Sequence, residues 1–148
     1  MTHSKKNPAG NPGSQEIRAN DARQYLSLLS AIGNAESEIR SQIAQSETTP
    51  EDILRLLSED WNDEVREAVA LNPKTTASIL RHLAEDESSD VRRAVTQADN
   101  ATVDILAKLS GDPDWTVRLF VAINSNTPKR IFDRLLKDAE LNDRKCFE

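Results

Sequence analysis

The sequence predicts an all-α fold, a short α-solenoid in which pairs of helices repeat about every 26 residues behind an N-terminal capping helix. Two features of the composition favour helices. Only 4% of the 148 residues are aromatic and 30% are charged, and there are four Gly and six Pro, fewer turn formers than an all-β sandwich needs. The third observation is that the chain aligns with itself at a shift of 26 residues.

Four sequence columns carry this self-alignment, and each of them holds four times. The columns are Ile53, Ile79, Ile105 and Ile131; Leu54, Leu80, Leu106 and Phe132; Leu57, Leu83, Leu109 and Leu135; and Asp60, Asp86, Asp112 and Asp138. A Val-Arg pair recurs with the same spacing at residues 65–66, 91–92 and 117–118. The repeats are therefore assigned to residues 49–74, 75–100, 101–126 and, in truncated form, 127–148.

Each repeat is predicted to contain two short helices. In the first one, Thr49 supplies an N-cap and Pro50 suits the first helical position, ahead of an Ile-Leu-x-x-Leu stripe. After a polar break, a second apolar stripe begins at Val65 and ends at Asn72, a residue that tolerates the left-handed conformation and stands before a proline. Neither helix can bury its stripe alone, so neighbouring repeats are expected to stack and share one core.

Two further segments are predicted upstream of the repeats. Residues 1–15 carry no hydrophobe larger than Ala after Met1, which predicts a disordered tail rather than a secretory signal. Residues 16–48 are assigned to the capping helix and a degenerate first repeat. The apolar stripe of that helix is Tyr25, Leu28, Leu29 and Ile32.

The cysteine content and hydropathy bear on the cellular compartment. Cys146 is the single cysteine, which fits a reducing environment. No apolar run approaches the roughly 20 residues of a membrane-spanning helix. We therefore expect a soluble, cytoplasmic protein.

The most regular part of the chain runs from Asp112, through Asp-Pro-Asp-Trp-Thr-Val-Arg, to Asn-Ser-Asn-Thr-Pro ending at Pro128. With the Ala-Val-Ala-Leu-Asn-Pro and Thr-Pro segments of its neighbours, it resembles the leucine-rich repeat variant family and, more distantly, HEAT repeats. The resemblance covers roughly residues 49–147. It implies a right-handed superhelix, second helices that are partly 3₁₀, and, by analogy of architecture, the binding of another macromolecule. The cysteine-rich iron-sulfur segment of some members has no counterpart here.

The most regular charged feature is a row of arginines, most of them six residues after an aspartate. The row consists of Arg40 and the pairs Asp60 with Arg66, Asp86 with Arg92, Asp112 with Arg118, and Asp138 with Arg144. These pairs predict a structural ladder of ion pairs within or between repeats, and contact with a phosphate backbone is the alternative. The net charge of -6 disfavours nucleic acid, because residues 1–20 carry +2 and the remainder therefore -8.

Positions that differ between repeats are the candidates for a partner-binding surface, because the fold does not dictate them. They are Trp61, Trp115, Arg93, Leu119, His82 and Lys108. Tryptophan is a frequent interface anchor, although covering a neighbouring turn is an equal alternative. One of the two tryptophans is expected to be substantially exposed. For His82 the simpler interpretation is a solvated helix histidine.

No catalytic, cofactor-binding or metal-binding residues are predicted. His82 has only His3 as a second histidine, and the acidic runs at residues 58–60 and 85–87 lack the alternating ligands and glycine of a calcium loop. We therefore expect a non-enzymatic protein-protein interaction module whose partner is another protein of unknown identity. A nucleic-acid-binding HEAT-like solenoid is the alternative. The apolar column at Phe147 also raises the hypothesis of a homodimer through the C-terminal end.

Overall fold

A computed structural model describes residues 27, 28 and 30–145, with side chains as far as residue 138. All regular structure in that part of the chain is helical and no strand occurs, which confirms the predicted all-α class. The chain forms two compact units, residues 1–35 and 36–148. The predicted tail, Cys146 and Phe147 lie outside the described residues.

The first unit contains one described helical segment, residues 27, 28 and 30–34. The segment closes where the amide of Ala35 donates to the carbonyl oxygen of Ile32 at 3.1 Å. It coincides with the predicted capping helix. Of the predicted stripe, Ile32 is buried and Leu28 is exposed, whereas the other two members lie outside the described residues.

The second unit contains eight helices within the described residues. They are α1 (Ser37–Gln45), α2 (Glu51–Leu57), α3 (Asp63–Leu71), α4 (Ala77–Leu83), α5 (Ser89–Gln97), α6 (Val103–Leu109), α7 (Trp115–Ile123) and α8 (Lys129–Lys145). We call α2, α4 and α6 first helices, which are seven residues long, and α1, α3, α5 and α7 second helices, which are nine. None of the described helices has both the length and the apolar character that a membrane crossing requires.

The first helices are held by their Ile-Leu-x-x-Leu stripes. In α4, Ile79, Leu80 and Leu83 are at most 1% exposed, and the equivalent residues of α2 and α6 are at most 2% exposed. A helix of seven residues is not stable by itself in water. Burying a Leu or Ile side chain contributes roughly 1.5–3 kcal/mol, so packing rather than helix propensity stabilises these segments.

The predicted start of α2 is wrong by one residue. Pro50, with extended φ and ψ of -63° and 153°, precedes the first helical residue, and Thr49 is not the N-cap. The Thr49 hydroxyl instead donates to the carbonyl oxygen of Ile43 in α1 at 2.5 Å. Thr75 and Thr127 make the same bond to the preceding second helix, each at 2.6 Å. The threonine therefore satisfies a helix C-terminus that would otherwise lack a donor.

The second helices pack against one another in chain order, α1 on α3, α3 on α5 and α5 on α7. Small side chains at the contacts, Ala44, Ala70 and Thr96, are at most 1% exposed and allow close approach. The 3₁₀ character implied by the family resemblance is not found across these helices, which are α-helical throughout their nine residues. In these helices, 3₁₀ geometry is confined to the bond that closes each helix. There the backbone amide of the C-capping residue donates to the carbonyl oxygen three residues earlier.

Asn72 ends α3 for a different reason from the predicted one. Its φ and ψ of -70° and 127° are extended rather than left-handed. Its Nδ2 donates to the carbonyl oxygens of Ala44 and Ser46 at 2.6 and 2.9 Å, and Asn124 makes an equivalent bond to Thr96 at 2.6 Å. The side chain thus links the ends of consecutive second helices.

Helix α8 departs from the pattern because it is 17 residues long and continues through the position of the expected turn. At that position the other repeats have Asn, Ser or Pro after the conserved aspartate, whereas Asp138 is followed by Ala-Glu-Leu, which are good helix formers. Asp138 therefore lies on a helix rather than in a turn. Phe132 and Leu136 on this helix are exposed, although Leu80 and Leu106, which occupy the column of Phe132, are fully buried.

The substitution Leu80→Ala tests the packing of the first helices. We expect the free energy of unfolding to fall by about 2–5 kcal/mol, because the substitution removes a fully buried side chain and leaves a cavity. Urea denaturation followed by circular dichroism measures the change. Leu56→Ala, at a position 42% exposed in α2, is the matched control and should change stability by about 0.5 kcal/mol or less. Equal losses for the two variants would contradict this packing.

Candidate functional site

The arginines of the second helices bind aspartates of the following repeat. Arg66 donates through Nε and Nη2 to the two carboxylate oxygens of Asp86, at 2.6 and 2.8 Å. Two further pairs repeat this bidentate geometry: Arg40 with Asp60, at 2.6 and 3.0 Å, and Arg92 with Asp112, at 2.7 and 3.0 Å. The carboxylate partner therefore lies 20 residues after the arginine, in the next repeat.

The six-residue spacing that the sequence displays corresponds to a different bond. Arg66 Nη1 donates to the backbone carbonyl oxygen of Asp60 at 2.7 Å, and the same bond recurs in the next two repeats. The carboxylate of each aspartate also accepts the backbone amide two residues further on, at 2.9 Å in all three turns. Each aspartate thus fixes its own turn and holds the arginine of the preceding repeat, which makes a continuous ladder.

Asp60 and Asp86 hold their ladder positions as carboxylates whose pKa is lowered. Burial alone would raise the pKa of Asp60 and Asp86, but hydrogen bonds from the arginine and the turn amide, together with the arginine charge, lower it below its usual range. The hydrogen bond to the carboxylate raises the pKa of Arg66 against the opposing effect of burial. The side chains of Arg40, Arg66 and Arg92 are only 5%, 9% and 14% exposed, so little of each guanidinium faces solvent.

The ladder stops at Arg118. Arg118 Nη1 donates to the carbonyl oxygens of Asp112 and Pro113 at 2.7 and 3.0 Å. Among the described side chains, it has no ion pair with Asp138, which is exposed on α8. The side chain of Arg144 lies outside the described residues. The bond from Arg118 to Asp138 that would continue the ladder is therefore absent among the described side chains, because α8 has no turn to bring Asp138 to the preceding repeat. The predicted pair of Asp138 with Arg144 stays a prediction.

Three of the predicted site residues lie along the edge formed by the turns and the first helices. Trp61, 79% exposed, lines an open groove of about 600 Å³ that also includes His82 and the acidic residues Glu59, Glu85 and Glu87. The Arg40 guanidinium carbon lies 5.2 Å from the centre of the Trp61 ring, a cation–π contact.

The basic side chains at this edge contact acids of the preceding repeat. His82 Nε2 lies 3.0 Å from Glu59 Oε1, and Lys108 pairs with Glu85. All four side chains are about half exposed or more, so solvent screens both pairs and neither contributes much to the stability of the fold. His82 and Lys108 therefore bridge neighbouring repeats at the surface.

The other three predicted residues lie on or beside the exposed face of the second helices. Trp115, Leu119 and Ile123 are spaced by four residues on α7 and are 66%, 46% and 66% exposed. Residues at i, i+4 and i+8 share one helix face, so the three side chains form an apolar strip about 12 Å long. We call these three residues the α7 stripe.

The equivalent positions of the other second helices are largely polar. They are Ser37, Ser41 and Gln45 on α1, Asp63, Glu67 and Leu71 on α3, and Ser89, Arg93 and Gln97 on α5. Three helices of the same kind thus fold without the α7 stripe. Its apolar character is not a requirement of the packing.

Arg93 on α5 contacts acidic side chains of α3 and α5 and an aromatic ring of α7. Its Nη1 is 2.8 Å from Asp90 Oδ1, its Nη2 is 3.9 Å from Glu67 Oε1, and its guanidinium carbon is 5.9 Å from the centre of the Phe120 ring on α7. Burial raises the pKa of Glu67, and the nearby carboxylates of Asp90, Asp63 and Glu64 raise it further against the opposing charge of Arg93.

The predicted site residues therefore divide between two surfaces. The expectation that one tryptophan is substantially exposed is confirmed, and both of them are. The comparison of equivalent positions between repeats did not identify Ile123. The four-residue spacing from Trp115 through Leu119 was the signal that could have found it.

Neither a metal site nor a known relative accounts for these two surfaces. Within the described residues, no three His, Cys, Asp or Glu side chains are placed to hold a metal ion. Comparison with family models, curated proteins and solved structures gives no match for this chain.

The ladder is tested by Arg92→Ala, with Arg118→Ala as its matched control. Both variants lose bonds to two backbone carbonyls, but only Arg92→Ala leaves a buried carboxylate, that of Asp112, without its guanidinium. We expect a loss of about 3–5 kcal/mol of unfolding free energy for Arg92→Ala and a clearly smaller loss for the control. Urea titration at neutral pH measures both, and equal losses would show that the inter-repeat pair contributes nothing.

The lowered pKa values of Asp60 and Asp86 predict an acid-sensitive fold. Because the unfolded chain binds protons at higher pH than the folded one, the stability from these carboxylates is complete above about pH 4 and is lost as the pH falls through their lower folded pKa values. Asp86→Asn should therefore flatten the dependence of the urea midpoint on pH below about pH 4. The exposed Asp99→Asn is the control, and an unchanged slope in Asp86→Asn would argue against the assignment.

Proposed function

We propose that this chain is a short, right-handed α-solenoid of about 26-residue helix pairs, of the leucine-rich repeat variant and HEAT-like kind, that binds another protein and catalyses no reaction. The solenoid is supported by the order in which α1, α3, α5 and α7 pack and by the Arg-Asp bonds that recur between successive repeats. The single cysteine favours the reducing cytoplasm as its compartment.

The observation that carries the proposed binding function is the α7 stripe. Three adjacent large apolar side chains, one of them a tryptophan, are about half exposed or more at positions where the other second helices are mostly polar. A contiguous apolar patch costs solubility and marks an interface when the fold does not need it. Tryptophan is also among the residue types that dominate binding energy.

The turn-edge groove is a weaker candidate for the main interface. Its basic side chain His82 contacts Glu59, its Arg66 is bound within the ladder, and Trp61 covers Arg40. These groups already bind one another, so a partner would have to displace existing contacts. We therefore assign the primary interface to the second-helix face.

The alternative of nucleic-acid binding has no specific observation in its favour. Three arginines of the row that is the candidate for phosphate contact, Arg40, Arg66 and Arg92, donate instead to the carboxylates of Asp60, Asp86 and Asp112. The net charge of -6 also repels a polyanion.

Affinity capture from the native cell tests the proposed function. The bait is the full chain, and the variant Leu119→Arg with Ile123→Lys places two charges in the α7 stripe. The control, Ser41→Arg with Gln45→Lys, makes the same additions at the equivalent positions of α1. We expect one partner protein to be retained by wild type and control and reduced by about 30-fold in the stripe variant, since hot-spot losses reach about 2 kcal/mol or more.

Thermal unfolding accompanies the capture, because all four substitutions are at the surface and should leave the melting temperature nearly unchanged. If the stripe variant retains the same proteins as wild type, the assignment of the interface is wrong. Binding to duplex DNA that falls steeply with added salt would instead favour the nucleic-acid alternative.

A further inference from the structure

We infer that the segment bound by the second-helix face is a basic amphipathic α-helix, whose apolar side covers the α7 stripe and whose Lys or Arg side chains reach the carboxylates of α3 and α5. This inference rests on the proposed function and adds the chemistry of the partner. Two features of the face carry it, the geometry of the stripe and the charge beside it.

The geometry of the stripe favours a helix over an extended peptide. The stripe rises about 6 Å between successive side chains, the spacing of i and i+4 positions on a partner helix. An extended segment would place its backbone amides and carbonyls against apolar side chains that offer them no hydrogen bonds. A helix satisfies its own backbone and presents only side chains, so it is the conformation that this surface accepts.

The charge beside the stripe determines the polar side of the partner. Four carboxylates lie on the second helices that precede α7: that of Asp90 on α5, which packs on α7, and those of Asp63, Glu64 and Glu67 on α3, which packs on α5. Among the described residues of α3 and α5, Arg93 is the one cation that is not held in the ladder. The other arginines of these helices, Arg66 and Arg92, are neutralised by the ladder carboxylates Asp86 and Asp112. The face therefore carries an excess of negative charge on α3 and α5, the two second helices that precede the apolar strip of α7.

The position of Glu67 shows why an added cation would be accepted. Its side chain is only 33% exposed, and Arg93, its one cationic neighbour among the described side chains, is 3.9 Å away and is closer to Asp90, at 2.8 Å. The surrounding carboxylates and burial raise the pKa of Glu67, which means that its ionised form is undercompensated. A Lys or Arg of the partner would supply the missing counter-charge.

The same charges disfavour two other occupants of the stripe. A second molecule of this chain would bring another set of the same carboxylates towards the interface, and like charges in an interface oppose binding. An anionic membrane surface would be repelled for the same reason. A basic amphipathic helix is the occupant that both covers the apolar stripe and pairs with the carboxylates of α3 and α5.

The test uses the full chain with Trp61→Phe, so that Trp115 is the only tryptophan and its emission reports on the stripe. The probes are three designed helical peptides of about 15 residues with identical apolar positions and with Lys, Gln or Glu on the flanks. We expect the Lys peptide to shift Trp115 emission to shorter wavelength and to bind at least about 10-fold more tightly than the Glu peptide. Added salt should weaken the binding of the Lys peptide only.

A charge variant provides the control for the acidic half. Glu67→Gln with Asp90→Asn should remove the advantage of the Lys peptide over the Gln peptide, while the affinity for the Gln peptide stays within about 2-fold. Glu51→Gln with Asp52→Asn on α2, away from this face, should leave the advantage intact. A Lys advantage that survives Glu67→Gln with Asp90→Asn would overturn the inference.

The remaining outcomes separate this inference from the proposed function. Equal affinity for all three peptides, or binding of none while native capture still depends on the stripe, would overturn the basic helix and leave the proposed function standing. Sedimentation showing a dimer that is lost in Leu119→Arg would make a second molecule the occupant. Binding to phosphatidylglycerol vesicles would make it a membrane, and either result overturns the inference.

Discussion

The bidentate bond between an arginine on one second helix and an aspartate in the next turn determines how the repeats are joined. The Asp86 carboxylate accepts its own turn amide and the Arg66 guanidinium, while its carbonyl accepts Arg92. One residue therefore fixes a turn, orients two helices and sets the distance between repeats. A buried ion pair contributes less net stability than its geometry suggests, because burial removes both charges from water. We interpret its main role as fixing the register of the stack, with the aliphatic stripes supplying most of the free energy.

The sequence predicted those parts of the fold that depend on spacing within one repeat. The Ile-Leu-x-x-Leu columns marked the buried residues of α2, α4 and α6, because burial follows directly from helical periodicity. It left open which bonds run within a repeat and which run between repeats. Thr49 has the residue type of an N-cap, but its hydroxyl donates to the backbone carbonyl oxygen of Ile43 in the preceding helix. The offset between Asp60 and Arg66 is visible in the sequence, yet no offset indicates which repeat supplies the carboxylate.

The candidate surface shows the same division between local and long-range information. Comparison between repeats found Trp115 and Leu119, because both stand where the other repeats have polar residues. It placed His82 and Lys108 in the same group, although they lie at the turn edge and contact acids of the preceding repeat. A column comparison identifies residues that the fold does not require. Only the packing of the helices shows which of them share a surface, and that step brought Ile123 into the stripe.

The double role of each aspartate has a consequence for how such a chain can change its length. Because the Arg-Asp bonds between repeats join equivalent positions, an added or deleted unit of 26 residues would preserve this type of junction. A whole added unit therefore keeps each Arg with its Asp, whereas a partial unit would separate them. The α7 stripe lies in the unit that directly precedes the uninterrupted α8. Units added before this one would lengthen the array of helices and leave the apolar side chains of the α7 stripe unchanged.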